Sequence, residues 1–495
     1  MKRLVLLSIL ASGLSFAEVP LPKTAPVAPA SVDLEAAFMA TRKPVSLKEA
    51  LRLADSKSAD LAAARASSEQ IVARSRQVLS AVLPEITTSA SYVHTTAEQK
   101  FDPSMFVAAF EGVIDASIRG TGPAYGFPVA PNDQALAAVK QGFTDAISGE
   151  LKPTTIVARN SLYANLIITQ TLFTPQMFLL PAADQSAEAA KYASLEAREQ
   201  VMLNVARIYL GIEGLASIAD AAKDAEAVAL KREKDATSQA QLGMTTDIAL
   251  LRAQSETAQA RATLATVQGQ KVALLAMLEA LVGEPIRPLD GNATRVDVTA
   301  ANEADTPWEN TYLIKASLAG LQSMETFNRY DRISWLPSLI AQAKGSYNSN
   351  KGFANTNWMF DGIIAAQWTL FDRGGRMVEL NVNDAKTAEG RAKLEASRAK
   401  ARANWLGAKT NLTAAEVALA QAEAQSNLAT RAQRQIGSAY ESGLATSLEV
   451  SDIDSKRFFA ASSAAQARSQ LEVRKVELAA AEGRLAEALG VDEKK

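Results

Sequence analysis

Hydrophobic positions change period four times along the chain, in the same order in each half. From residue 46, "SLKEALRLADSKSADLAAARASSEQIVARSRQVL" has helical spacing and runs to Pro84. Ser46 with Glu49 three residues on predicts a capping box at its start. The next stretch, "LPEITTSASYVH", alternates. Ile86, Thr88, Ala90 and Tyr92 share one face, and Glu85, Thr87, Ser89 and Ser91 the other. "LPSLIAQAKGSYN" repeats that phase, with Leu339, Ala341, Ala343 and Tyr347 against Gln342, Lys344 and Ser346. The Leu-Pro pairs at 83–84 and 336–337 align the two copies.

A second alternating run closes each pair, ending in "TLFTPQMF" at 171–178 and "TLFDRGGR" at 369–376. In the later copy Trp358, Phe360, Ile364, Ala366, Trp368 and Leu370 form an apolar face. Ten residues separate Trp358 from Trp368. In a strand tilted near 45° they stand roughly 23 Å apart along a membrane normal, the height of an apolar band rimmed by aromatics. Each run then passes into alanine-rich helix, about 175–240 and 374–440, roughly 100 Å if continuous. Thr174 and Asp372 are candidate caps, Pro175 suits a first helical position, and Gly374 and Gly375 permit a bend. Glycine-centred turns at 241–247 and 441–447 lead into return helices predicted to end at Gly283 and Gly490.

A seam is predicted along the first return helix through Leu250, Ala253, Thr257, Ala260, Leu264, Val267, Lys271, Leu274, Leu278 and Leu281. Leu471, Leu478 and Leu485 repeat it in the second. The tip glycines Gly243 and Gly443 are 200 residues apart, while Gly283 and Gly490 are 207 apart. The second copy is therefore expected to carry one additional heptad.

This gives five parts and a tail. Residues 1–17 read as an export signal, with Lys2 and Arg3, an apolar stretch and a small-x-small end. Residues 18–45 form a Pro-rich linker and 46–283 the first repeat, with strands at about 84–94 and 160–173. Its loop, 95–158, is an insertion expected to face solvent and to hold helices near 104–118 and 134–148. Residues 284–307 are a linker, 308–490 the second repeat with strands at about 336–347 and 357–371, and 491–495 a tail. Beyond the signal, no segment is expected to span a membrane as a helix.

Composition narrows the function. A net charge of −2 gives no footprint for nucleic acid. No cysteine and one histidine, His94, leave little for disulfides, zinc or histidine catalysis. No nucleophile motif or phosphate loop stands out, so neither an enzyme nor a cofactor is expected. Hydrophobic residues make up 48% but aromatics only 6%, which suits closely packed alanine-rich helices.

The doubled order of elements resembles the TolC-type outer-membrane efflux factors over nearly all of the exported chain. The expected fold class is mainly α with membrane β. It comprises a duplicated helix-strand-strand-long helix-return helix unit in a trimeric 12-stranded β-barrel, continued by a periplasmic α-helical barrel. The resemblance implies a homotrimer in outer-membrane lipid that extends into the periplasm. It acts as a passive exit duct for efflux or type I secretion, recruited by a periplasmic adaptor and an inner-membrane pump. Four strands cannot close a membrane barrel alone, and lipid forbids an open edge, so oligomerisation agrees with the physics. Without cysteine, the lipidated amino terminus of part of the family is not expected, and anchoring rests on the barrel.

The resemblance also implies site residues. Leu242, Gly243, Gly443 and Leu444 form the adaptor-contacting tips, and Trp358 and Trp368 the membrane rims. A periplasmic gate is implied at Asp247, Tyr440, Glu449 and Asp452, with an Asp247–Tyr440 link and rings of acids from Glu449 and Asp452. Ala445 stands where the family pattern has an arginine, so that ionic link is missing. The alternative reading, an exported periplasmic coiled-coil structural or adhesion protein without a pore, predicts heptads but no tryptophan-rimmed strands.

Overall fold

In the computed structural model the described residues are 38–102, 106–107, 109–113, 116, 133–150, 153–243, 246–289, 294–351 and 355–491. The expected export signal, most of the Pro-rich linker, parts of the insertion and most of the tail lie outside them. The chain begins with β1 (Lys43–Val45), α1 (Leu47–Lys57), α2 (Ala59–Gln77) and β2 (Glu85–His94). The insertion carries β3 (Gln99–Phe101), helical residues at 106–107 and 109–113, α3 (Asp133–Glu150) and β4 (Thr154–Val157). Then come β5 (Asn160–Phe173), α4 (Leu180–Gln241), α5 (Asp247–Val282) and β6 (Ile286–Pro288). The second half is α6 (Tyr312–Ile333), β7 (Ser338–Asn348), β8 (Trp358–Gln367), α7 (Gly375–Glu441), α8 (Ser447–Ala481) and α9 (Leu485–Ala488).

These elements form four parallel columns. The strands pair antiparallel in the order β2-β5-β7-β8. Below them, α2 packs on α4, α4 on α6 and α6 on α7. Towards the tips, α5 packs on α4, α4 on α8 and α8 on α7. The columns are thus β2 over α2 and α5, β5 over α4, β7 over α6 and α8, and β8 over α7.

Two columns are made of helices stacked end to end, and glycine makes the joint. Gly283, at φ +82°, lies so close to the end of α1 that a Cβ would come within 2.8 Å of the Lys57 carbonyl oxygen. Gly483, at φ +66°, packs in the same way on Asn310, where a Cβ would meet the backbone at 3.0 Å. The two glycines are 200 residues apart, as are the tip glycines. Gly483 is therefore the counterpart of Gly283, and the expected additional heptad does not exist. α8 ends at Ala481, and Leu485 belongs to a separate short helix, because the contact with Asn310 stops α8.

Other expectations shift by smaller amounts. The first helix breaks at Ser58 into α1 and α2. Ser46 accepts from Glu49 N at 3.3 Å, the first half of the expected box. The seam of α5 follows Ala253, Thr257, Val267, Lys271 and Leu278, but turns to Leu275 and Val282 where Leu274 and Leu281 were expected. An 18-residue stretch of α4 is apolar enough to cross a membrane by composition (mean hydropathy 1.4), against expectation. That helix is flanked on both sides and covered by α1, which explains apolar residues around its girth.

The main core lies midway down the columns. Met202, Tyr209 and Ile212 of α4 meet Leu51 of α1, Leu275 and Leu278 of α5, and Leu485 of α9. β1 and β6 pair in parallel at its surface, so both linkers carry a strand. The buried Tyr209 hydroxyl donates to Val45 O at 2.9 Å. A second core forms around Trp308 and Trp405, ring centroids 5.3 Å apart, with Leu394, Leu412 and Leu478. Carboxylates hold the segment between the cores. Glu213 accepts from Thr294 N, Glu472 from Val296 N, and the fully buried Glu482 from Ala301 N and Trp405 Nε1.

Candidate channel wall and periplasmic tip

The sheet has no core on either face. Every residue of β2 is exposed, and all but one of β8. Register places Ile86 beside Ile168, Ile168 beside Ala343 and Ala343 beside Gly362; Tyr92 pairs with Leu162, and Tyr347 with Trp358. One face is thus continuously apolar across four strands. The other carries Asn165 donating to Ser89 at 3.4 Å, Gln342 donating to Thr169 at 3.3 Å, and Lys344 opposite Asp361. Such a sheet suits lipid on one side and water on the other.

Both predicted rim residues point outward, Trp358 58% exposed and Trp368 61%. Trp358 packs on Tyr347 at 4.9 Å and stacks with Phe360 at 6.4 Å. Trp368 lies just past β8, which ends at Gln367, earlier than expected. Its last register partner is Ser338, and the preceding Pro337 has no N–H to extend the ladder. Trp368 Nε1 instead donates to Trp335 O at 2.8 Å. The Arg376 guanidinium lies over the Trp335 ring, 5.1 Å from its centroid. Trp335 is an exposed aromatic at this end of the sheet that sequence reading missed; a tryptophan two residues before the strand-opening proline was the available signal.

Leu370 and Phe371, exposed, lie beyond the strand rather than on its faces. The corner that follows works as its residues predict. Asp372 Oδ2 accepts from Arg376 N at 2.8 Å, and Gly374 sits at φ +81°. In the first copy Thr174 accepts from Gln176 N at 3.4 Å, with Pro175 opening a short 3₁₀ turn.

At the opposite end, Gly243 and Gly443 adopt φ +68° and +71°. Leu242 and Leu444 are 74% and 84% exposed beside them. Thr246 and Thr446 cap the return helices, accepting from Ala249 N and Glu449 N. Asp247 is exposed in the first turn of α5, with no hydrogen bond to Tyr440 among the described residues. Tyr440 borders a small recess with Arg232, Arg252 and Glu256 instead. The Glu449 carboxylate completes a capping box, accepting from Thr446 N at 2.8 Å, and that bond lowers its pKa. Asp452 pairs with Lys456 at 2.6 Å.

A cluster unforeseen in the sequence lies just above the tips. Arg232 of α4 is ion-paired with Asp454 of α8 and reaches Glu256 of α5 at 3.7 Å. Ser451 of α8 donates to Glu256 at 2.6 Å. Burial lowers the Arg232 pKa, opposed by the charges of Glu256 and Tyr440. One guanidinium thereby links three columns. In sequence Arg232 is one charge within "LKREKD", and nothing local singles it out. Beside it a cavity of about 490 Å³ opens between α4, α5 and α8. No group of acidic or histidine side chains able to hold a metal occurs among the described residues.

The architecture is the TolC-type outer-membrane channel fold. Among solved structures that share it, the CmeC outer membrane channel of Campylobacter jejuni is 16% identical, covering 97% of this chain and 94% of its own, with a TM-score of 0.67. The outer membrane protein VceC of Vibrio cholerae is 17% identical, covering 88% and 96%, TM-score 0.67. The MtrE outer membrane channel of Neisseria gonorrhoeae, in its open state, is 15% identical, covering 89% of each chain, TM-score 0.67. No family model and no curated protein matches the chain.

Proposed function

We propose that this chain is one third of an outer-membrane duct, the passive exit of a tripartite efflux or type I secretion system. The observation that carries the reading is the pair of open edges. The first column exposes the free edge of β2, and the fourth that of β8. Free strand edges are not stable in lipid, so another copy must cover them. Edge β8 of one copy meeting edge β2 of the next is a head-to-tail contact, which closes into a ring. Three copies give twelve strands and twelve helical columns, the number the fold family implies. Met377, Val378, Leu406, Val417 and Leu428 along α7 are exposed apolar residues on the edge column, suited to the same contact.

In this reading the apolar sheet face meets lipid between the Trp358 and Trp368 levels, and the helices extend into the periplasm. The tips at Leu242–Gly243 and Gly443–Leu444 receive the adaptor, and an inner-membrane pump supplies the energy. Asp247, Tyr440, Glu449 and Asp452 surround the periplasmic opening. The pore-free coiled-coil alternative leaves the exposed, tryptophan-rimmed sheet without a purpose.

Native mass spectrometry of the detergent-extracted chain, with single-channel recording in planar bilayers, tests the proposal. Trimers that conduct are expected. A monomer soluble without detergent would overturn it.

A further inference from the structure

Every residue that lines the cavity beside Arg232 belongs to one chain. The cavity lies between α5, α4 and α8, three adjacent columns, of which α5 belongs to the edge column that the next copy would flank in a ring. At about 490 Å³ it falls within the roughly 300–1,000 Å³ range of small-molecule sites. Its floor is apolar, with Ala225, Val228 and Ala229 of α4. Phe458 and Phe459 of α8, ring centroids 5.6 Å apart, stand at its side, and Phe459 is 68% exposed.

The charges at the cavity are unequal in availability. Asp454 and Glu256 are both turned to Arg232, and Glu256 also accepts from Ser451. Arg232 offsets one of their two negative charges, and the Ser451 hydroxyl holds Glu256 against the wall. Arg457 also lines the cavity, and among the described residues no ion pair or hydrogen bond engages it. What the cavity offers an incoming molecule is therefore an apolar floor, an aromatic side and one free guanidinium. Hydroxyl and amide groups of Ser455, Thr263 and Gln259 complete the lining.

We propose that this cavity binds a small aromatic organic anion, with its ring against Phe458 and Phe459 and its carboxylate on Arg457. A guanidinium pairs with a carboxylate in bidentate fashion, and desolvation by the alanine floor strengthens the pair. A cationic aromatic of the same size meets Arg457 as a like charge, so at that end of the cavity the anion is favoured. The site does not depend on the duct reading, since its walls come from one chain.

The absence of cysteine makes the test direct. Ser455→Cys places a single thiol in the cavity, and Gln425→Cys on the exposed side of α7 serves as control. Maleimide labelling of the full chain in detergent is timed with 2-naphthoate or 2-naphthylmethylammonium present. At ten times its Kd, 2-naphthoate is expected to slow labelling at 455 about tenfold and leave 425 unchanged. Arg457→Gln is expected to abolish the protection. Equal protection by the ammonium compound, protection that survives Arg457→Gln, or none at millimolar naphthoate would each overturn the assignment. Because Arg457 is partly exposed, a folded Arg457→Gln chain is checked by its unfolding temperature. If it does not fold, the naphthoate-versus-ammonium comparison on the Ser455→Cys chain decides alone.

Discussion

Gly283 lies against the carbonyl of Lys57, closing the joint between the return helix of the first repeat and the helices that lead to the four-stranded sheet. A side chain there faces two penalties: the left-handed φ of +82° and a 2.8 Å approach to backbone. Gly243 has φ +68° but open space around it. Gly283→Ala is therefore expected to cost about 2–3 kcal/mol and Gly243→Ala about 1 kcal/mol. Thermal unfolding of the two variants checks the order, and equal losses would remove the stacking contact from the account.

That joint also shows how much was legible in advance. The equal phase of "LPEITTSASYVH" and "LPSLIAQAKGSYN" disclosed the duplication and the strand faces, because period-two alternation is a local signal. The long helices and their tip glycines were legible for the same reason. The end of α8 was not. "AAEGRLAEALG" offers Gly483 and Gly490 as equal stops, and contact with Asn310, some 170 residues away, selects the first. The end of β8 depends on Pro337, just before the neighbouring strand. The Arg232 cluster is assembled from three columns, and no window of sequence contains it.

Arg232→Ala leaves Asp454 and Glu256 without their cation in a partly buried wall. Loss of one partner from a buried pair costs up to about 3–5 kcal/mol, less here because Arg232 and Glu256 keep some solvent. We expect roughly 2–3 kcal/mol by denaturant unfolding. Arg232→Met combined with Glu256→Gln and Asp454→Asn should recover most of it, since no uncompensated charge remains. A triple variant as unstable as Arg232→Ala would mean that Arg232 acts through its packing alone.

Tyr209 carries a pH prediction. Burial pushes its phenol up to about 12, and the charge of Glu213 adds to the shift. A folded-state pKa raised above the unfolded value of about 10 stabilises the fold fully below pH 10. That stability is lost as pH rises towards 12. Tyr209→Phe removes the dependence and strands the Val45 carbonyl, a loss of about 1–2 kcal/mol at neutral pH. Unfolding curves from neutrality to pH 11 should converge for the two chains. Parallel curves would count against a protonated, hydrogen-bonded Tyr209.

Glu449 responds at the acidic end. Its bonds to Thr446 hold its pKa below 4.5, so its contribution is present above that value and disappears as pH falls through the lowered one. Amide exchange in the first turn of α8 should accelerate with acidification while the middle of α8 stays protected. Thr446→Ala should give fast exchange near neutrality and no further acid response. A first turn equally protected at all pH values would show that the capping box does not hold the tip.

The tip also lacks a charge pair that the resemblance leads one to expect. Asp247 is exposed in the first turn of α5, and no ion pair engages it among the described residues. Ala445, two residues beyond Gly443, stands where the family pattern has an arginine. A single exposed pair contributes only about 0.2–1 kcal/mol, but in a trimer three such pairs act on one opening. Ala445→Arg is therefore expected to tighten the resting closure and lower single-channel conductance. Raising the ionic strength should restore it, because exposed pairs are screened. Adding Asp247→Asn should also return conductance to that of the unaltered chain. If Ala445→Arg conducts as before, or stays lowered with Asp247→Asn, Asp247 does not belong to the gate.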